Sequence, residues 1–251
     1  MEKTILIAGK DLPFGSDLAD GMALAGYNVI VTGNGEADRQ SVSASNIVIS
    51  SWNRPSSISS RSLMLNAETS FNFVDESILY FDTELYAQQF SLFSPEECTR
   101  AVDTMTIGYQ YLSMEILTRL EQRNANGKII FVVKEHPSME EVLHSSSQKS
   151  SAILAGPLVS SAKAAFISFA ENVAAFVGDK PNVTVLLVCI EQKSEFYEKD
   201  SLLASWLSEY LSALDSMEHK PSARSAIKWI KAGAKPPQSV LSFITSTIKN
   251  R

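Results

Sequence analysis

The sequence predicts an α/β protein: a single doubly wound, Rossmann-like domain with a parallel sheet of about seven strands and helices on both faces. Three observations lead there. Short, continuously apolar runs recur along the chain, as expected of strands buried on both faces. Helical stretches with an apolar face stand between them. The first strand, helix and strand follow one another within about thirty residues, the spacing of a right-handed βαβ unit.

TILIAG (4–9) is the first strand, closed by Gly9. SDLADGMALAG (16–26) sets Leu18, Met22 and Ala25 on one helical face, with Ser16 as its N-cap and Gly26 as its stop. YNVIVTGN (27–34) is the second strand. NIVISS (46–51) and SILYF (77–81) follow, separated by a serine-rich stretch that holds a short helix. Ser94, Pro95 and the pair Glu96–Glu97 read as N-cap, first helical residue and acidic first turn of a long amphipathic helix reaching about Arg123. KIIFVV is the next strand. After a looser segment (134–156), a helix over 157–177 is apolar nearly all round, and VTVLLVCI (183–190) is the strand behind it. SLLASWLSEYLSAL (201–214) and SARSAIKWIKAG (222–233) are expected as helices, and SVLSFIT (239–245) as the last strand. The serine clusters at 41–62 and 145–161 read as loop and cap chemistry.

Composition narrows the function classes. The chain has 251 residues, 45% of them hydrophobic, enough for a large core. Its formal net charge is −6 with no basic run, which argues against nucleic acid, because phosphate neutralisation needs clustered Lys and Arg. Cys98 and Cys189 lie far apart and suggest free thiols of a reducing compartment. The apolar runs are strand-length, far below a membrane span, and the N-terminal one is too short for a signal-peptide core. The expectation is a soluble, cytoplasmic protein with no membrane partner.

In an open parallel sheet the ligand crevice lies beyond the carboxyl ends of the strands, so GKDLPFG (9–15) is the first place to look. A glycine-spaced loop feeding a helix offers N–H groups and a positive dipole end to a pyrophosphate, and Gly9 and Gly15 suit that role. Pro13 removes a donor, and Asp11 repels a phosphate, offset in part by Lys10. The alternative is a tight β–α turn with no phosphate. At the end of the second strand, Gly33 and Asn34 supply neither a carboxylate for ribose hydroxyls nor an arginine for a 2′-phosphate, so NAD and NADP are not distinguished.

The order of elements resembles the short-chain dehydrogenase/reductases from TILIAG to SVLSFIT, in architecture more than in motifs. AGKDLPFG is similar to the family's threonine–glycine loop, with Ala8 for the threonine and Pro13 for the middle glycine. AVDTMTIGYQYL (101–112) resembles the stretch holding its asparagine, KIIFVV with Lys134 the strand ending in its serine, and SAKAAFISFAENVAAF the helix carrying tyrosine and lysine four apart. At those positions stand Met105, Lys134 and Val159, and only Lys163 matches. The family's Asn–Asn–Ala–Gly run is replaced near residues 80–83, and its Pro–Gly by Ile190–Glu191.

The resemblance implies that the tyrosine moves the proton, the lysine lowers its pKa and holds the nicotinamide ribose, and the serine polarises the substrate oxygen. Valine can do none of this. Loss of one general acid typically costs about 10²–10⁴ in rate, so ordinary carbonyl reduction is not expected. His136 is the best substitute acid, set against a reading as a plain polar loop residue. His144 and His219 show no ligand spacing, and no metal is expected. Lys163 either still holds a ribose hydroxyl or is solvated. The broad apolar surface of the 157–177 helix implies a second buried contact, and the resemblance implies a homodimer or homotetramer through helices 95–123 and 157–177. Three functions therefore follow: a nucleotide-binding or partner subunit that binds NAD, NADP or neither and has no reductase activity; a divergent NAD(P)-dependent oxidoreductase with a relocated acid; or a cofactor-free interaction module. Whether the chain is an enzyme stays open at this level.

Overall fold

The computed structural model describes residues 2–123, 125–144, 153–217 and 227–236. Its strands are β1 (Thr4–Ala8), β2 (Asn28–Thr32), β3 (Ile47–Ser50), β4 (Glu76–Asp82), β5 (Gly127–Lys134), β6 (Val183–Ile190) and β7 (Trp229–Lys231). They form one sheet in the order β3-β2-β1-β4-β5-β6-β7, every pair parallel. The register sets Ile7 opposite both Val31 and Ile78, and Lys134 opposite both Asp82 and Ile190. All carboxyl ends therefore emerge at one edge, and the strand order reverses between β1 and β4.

Alternation along each strand divides the core into two layers. Leu6, Ile30, Leu79, Phe81, Phe131 and Leu187 face the first, against α2 (Ser57–Phe71), α4 (Pro95–Val102), α5 (Gly108–Arg123) and α7 (Pro157–Phe176). Ile5, Val29, Ile78, Ile130 and Val188 face the second, against α1 (Ser16–Leu24) and α8 (Asp200–Asp215). Both faces are covered, which is why these strands read as unbroken apolar runs. Each fully buried aliphatic side chain contributes roughly 1.5–3 kcal/mol of transfer free energy.

Several local expectations need correction. Ser16 is the first residue of α1 and not its cap; Gly15 is the N-cap, without a side-chain bond. The helix after β3 has fifteen residues, capped by Ser56 accepting from the Ser59 amide, so part of the 41–62 serine cluster is helical. Ser94 does cap the long helix, accepting from the Glu97 amide, and the helix runs on to Arg123 through a π-turn at Asp103–Ile107. A short α3 (Thr83–Gln89) follows β4 directly and α6 (Met139–His144) lies in the looser segment; neither was expected. Trp229–Lys231, expected within a helix, is instead the strand β7, because its backbone pairs with the side of β6 that β5 leaves open. SVLSFIT and His219 lie outside the described residues. No helix among the described residues is long and apolar enough to cross a membrane.

Candidate functional site

Pockets line the carboxyl edge of the sheet among the described residues. One of about 310 Å³ lies over the β1, β2 and β3 exits between Asp11, Asn34 and Trp52. A second, about 180 Å³, lies between Lys10, Phe14, Asp82, Glu84 and Lys134. A third, about 280 Å³, lies beyond β5 and β6 between Glu135, His136, Lys163 and Glu191. A larger pocket of about 390 Å³ is at the opposite edge, between α2 and α5, and its arginines Arg119 and Arg123 are already paired with Glu68 and Asp75.

At the β1 exit the charges are satisfied internally. Gly9 has φ +97°, and a Cβ there would lie 2.2 Å from the Tyr80 carbonyl oxygen and 2.6 Å from Tyr109 Oη, so only glycine makes this turn without displacing β4. Lys10 points inward: Nζ is 2.5 Å from Asp200 Oδ2, 3.5 Å from Asp82 Oδ2 and 4.7 Å from the centre of the Tyr80 ring. Burial pushes the Asp200 carboxyl up by more than Lys10 pulls it down. Asp11 accepts from Thr32 Oγ1 and from Arg54 Nη2, the latter at 2.7 Å. The Gly15 amide donates to the Asp11 carbonyl and the Ser16 amide to the Pro13 carbonyl, both at 3.2 Å. The Asn34 amide donates to Asp38 Oδ2 at 2.6 Å.

The β5 and β6 exits form a second network. Lys134 Nζ donates to Glu84 Oε2 at 2.7 Å and lies 4.1 Å from the Tyr197 ring centre. Burial pushes the Glu84 carboxyl up, but the Lys134 ammonium outweighs it and the net direction is down. His136 is buried with both nitrogens engaged, Nδ1 2.8 Å from Tyr197 Oη and Nε2 2.9 Å from the Ile153 carbonyl oxygen. A carbonyl only accepts, so Nε2 carries a proton and donates it in a hydrogen bond to the Ile153 carbonyl, while Nδ1 is engaged by the Tyr197 hydroxyl.

Met105 is in the π-turn and Val159 in the first turn of α7; both are fully buried in the first core layer. One turn on, Lys163 is half-buried beside the third pocket, with no hydrogen bond or ion pair among the described residues. Its ammonium pulls the nearby Cys189 thiol down, but burial and the Glu135 carboxylate dominate and push that thiol up to about 12. The structure thus brings Gly9, Lys10 and Gly15 together at the β1 exit, sets Asn34 beyond β2, and gathers Lys134, His136 and Lys163 at the β5–β6 exits. Among the described residues no cluster of His, Cys, Asp or Glu could hold a metal.

No family model and no curated protein sequence matches this chain. Solved structures do. A 3-ketoacyl-(acyl-carrier-protein) reductase from Brucella melitensis, complexed with NADH, superposes with TM-score 0.61 at 14% identity over 91% of this chain and 96% of its own. Levodione reductase gives 0.63 at 11% identity over 91% and 95%, and a short-chain type dehydrogenase/reductase from Mycobacterium marinum 0.60 at 14% over 94% and 96%. The fold is that of the short-chain dehydrogenase/reductases.

Within that fold a dinucleotide would lie across the switch point between β1 and β4, and this chain's residues there do not fit one. The Gly15 and Ser16 amides that would meet a pyrophosphate are engaged by loop carbonyls, and Lys10 is turned into the core. The Arg54 guanidinium stands at the switch point itself, within 3.4 Å of the Gly9 carbonyl oxygen. Asp11, Asp82 and Asp200 add negative charge where phosphates would bring more. Sequence reasoning missed Arg54, Asp82, Glu84, Tyr197 and Asp200. Only Asp82 had a legible signal, as a capping residue one position before Thr83–Glu84, and its carboxylate does accept from the Leu85 amide at 3.1 Å.

Proposed function

We propose that this chain is a partner subunit built on the short-chain dehydrogenase/reductase fold, without dinucleotide-dependent carbonyl reduction, and that it self-associates through the outer faces of α5 and α7. The observation that carries the reading is that the chain's own ion pairs, Lys10 with Asp82 and Asp200 and Arg54 with Asp11, occupy the switch point of the crevice. Two features support it. Val159 offers no proton to a substrate from inside the core, and His136 has no nitrogen left for one. Self-association is supported by the outward residues of the two helices: Met114 is about half exposed, and Ala164, Ala165 and Ala175 are exposed beside the half-buried Tyr111, Leu117 and Ile167. Small residues with flanking apolar ones suit a close helix–helix contact.

The test has two parts. Light scattering on the purified chain is expected to give two or four times the chain mass, falling to one in Ala165→Glu. NADH and NADPH are expected to stay unoxidised with a panel of aldehydes, ketones and 3-ketoacyl thioesters. A monomer at micromolar concentration, or turnover on any of these carbonyls, would refute the reading.

A further inference from the structure

One guanidinium joins four segments around the switch point. Arg54 leaves the β3–α2 loop and is 9% exposed. Its Nη2 donates to Asp11 at 2.7 Å and to the Gly9 carbonyl at 3.4 Å. Its Nη1 donates to the Thr104 carbonyl in the π-turn at 3.2 Å, and to the Tyr86 hydroxyl of α3. From Tyr86 the bonds can run in one direction only. Arginine only donates, a backbone carbonyl only accepts, and each hydroxyl has one proton. Arg54 therefore donates to Tyr86, Tyr86 to Tyr109 at 2.7 Å, and Tyr109 to the Tyr80 carbonyl in β4 at 2.6 Å. The guanidinium carbon also lies 5.1 Å from the Trp52 ring centre and 5.8 Å from those of both Tyr86 and Tyr109, within cation–π reach of all three.

A buried ion pair alone would need only Asp11. Here the same cation reaches the β1 exit, α3 and the π-turn from the β3 exit. We propose that Arg54 stands where a bound ligand would stand: a guanidinium carried by the chain itself, which ties these four segments together and holds the crevice shut at the switch point, beside the open pocket over the β1–β3 exits. The assignment names the residue that closes the crevice and is independent of how the chain associates. Lysine cannot replace it, because a single ammonium cannot reach the Asp11 carboxylate, two carbonyls and a hydroxyl with the geometry of a planar fork.

The experiment is thermal melting of Arg54→Ala with and without methylguanidinium at low millimolar concentration. Deleting one side of a buried, hydrogen-bonded charge is expected to lower the melting temperature by roughly 6–20 °C. Methylguanidinium is expected to recover part of the loss with saturable dependence and to leave the wild type unchanged. A variant that melts with the wild type, or that methylguanidinium does not help, would overturn the proposal. If Arg54→Ala is recovered only as aggregate, Asp11→Asn carries the test: it melts lower, and Asp11→Asn combined with Arg54→Met melts higher than Asp11→Asn alone, since the buried cation no longer lacks its counter-charge. A double variant no better than Asp11→Asn would count against the proposal. NADH added to the wild type is expected to leave its melting unchanged; a rise would overturn the closed crevice whichever way Arg54→Ala behaves, while the mass and turnover tests of the partner-subunit reading stand apart from both.

Discussion

Replacing Gly9 with alanine tests the geometry that shapes the β1 exit, and Gly26→Ala is its internal control. Both glycines have positive φ, +97° and +92°, so both alanines carry a backbone strain of about 1–2 kcal/mol. At Gly26 the added Cβ meets nothing within 4 Å, so strain is the whole expected cost. At Gly9 it meets the Tyr80 carbonyl oxygen at 2.2 Å and Tyr109 Oη at 2.6 Å. The first is backbone of a central strand and cannot turn away. The second is the hydroxyl that satisfies that same carbonyl, so moving it leaves a buried acceptor unpaired. Overpacking adds about 1–3 kcal/mol, which puts Gly9→Ala near 2–5 kcal/mol in total. For a chain of this size that is a fall of roughly 4–20 °C in melting temperature, against about 2–8 °C for Gly26→Ala. Urea unfolding followed by circular dichroism, with the m-value unchanged, reads both. If Gly9→Ala loses no more than Gly26→Ala, the close approach of the β1 exit to β4 and Tyr109 is wrong, and with it the shape assigned to the crevice.

Two further outcomes follow from the same edge. The folded-state pKa of Glu84 lies below its ordinary value of 4.5, so its pairing with Lys134 stabilises above that pH and is lost as pH falls through the folded value. Glu84→Gln should therefore melt below the wild type at pH 7, the gap closing on acidification below about 4.5; a pH-independent gap would contradict the sign. Val159→Tyr restores the residue type that the family resemblance puts four positions before Lys163, but the ring must enter a fully buried position. It should cost about 1–3 kcal/mol and give no NADPH-dependent carbonyl reduction, measured by melting and by absorbance at the nicotinamide band; a stable, active variant would show an intact site beneath.

The sheet was legible because its central strands are buried on both faces, and four to eight consecutive apolar residues permit few other readings. VTVLLVCI and KIIFVV needed no partner to be recognised. Trp229–Lys231 misled because the spacing of Ala226, Ile227 and Ile230 has a helical period, while the open side of β6, forty residues earlier in the chain, decides its conformation. The candidate site was legible only as positions. Lys10 looked like an offset for phosphate charge until Asp200, nearly two hundred residues on, closed over it. Arg54 sits between Asn53 and Pro55 in a serine-rich stretch with no periodicity, and its partners Asp11, Tyr86 and Thr104 are 43, 32 and 50 residues away. Interactions at such separations leave no local pattern in a single sequence.

The central claim, that the chain's own charges close the dinucleotide crevice, is tested most directly by calorimetric titration of the purified chain with NAD(H) and NADP(H), with Lys163→Ala alongside. The account predicts no saturable heat at millimolar nucleotide and no difference between the two proteins. Saturable binding to the wild type, weakened in Lys163→Ala, would contradict it and would make Lys163 a cofactor ligand.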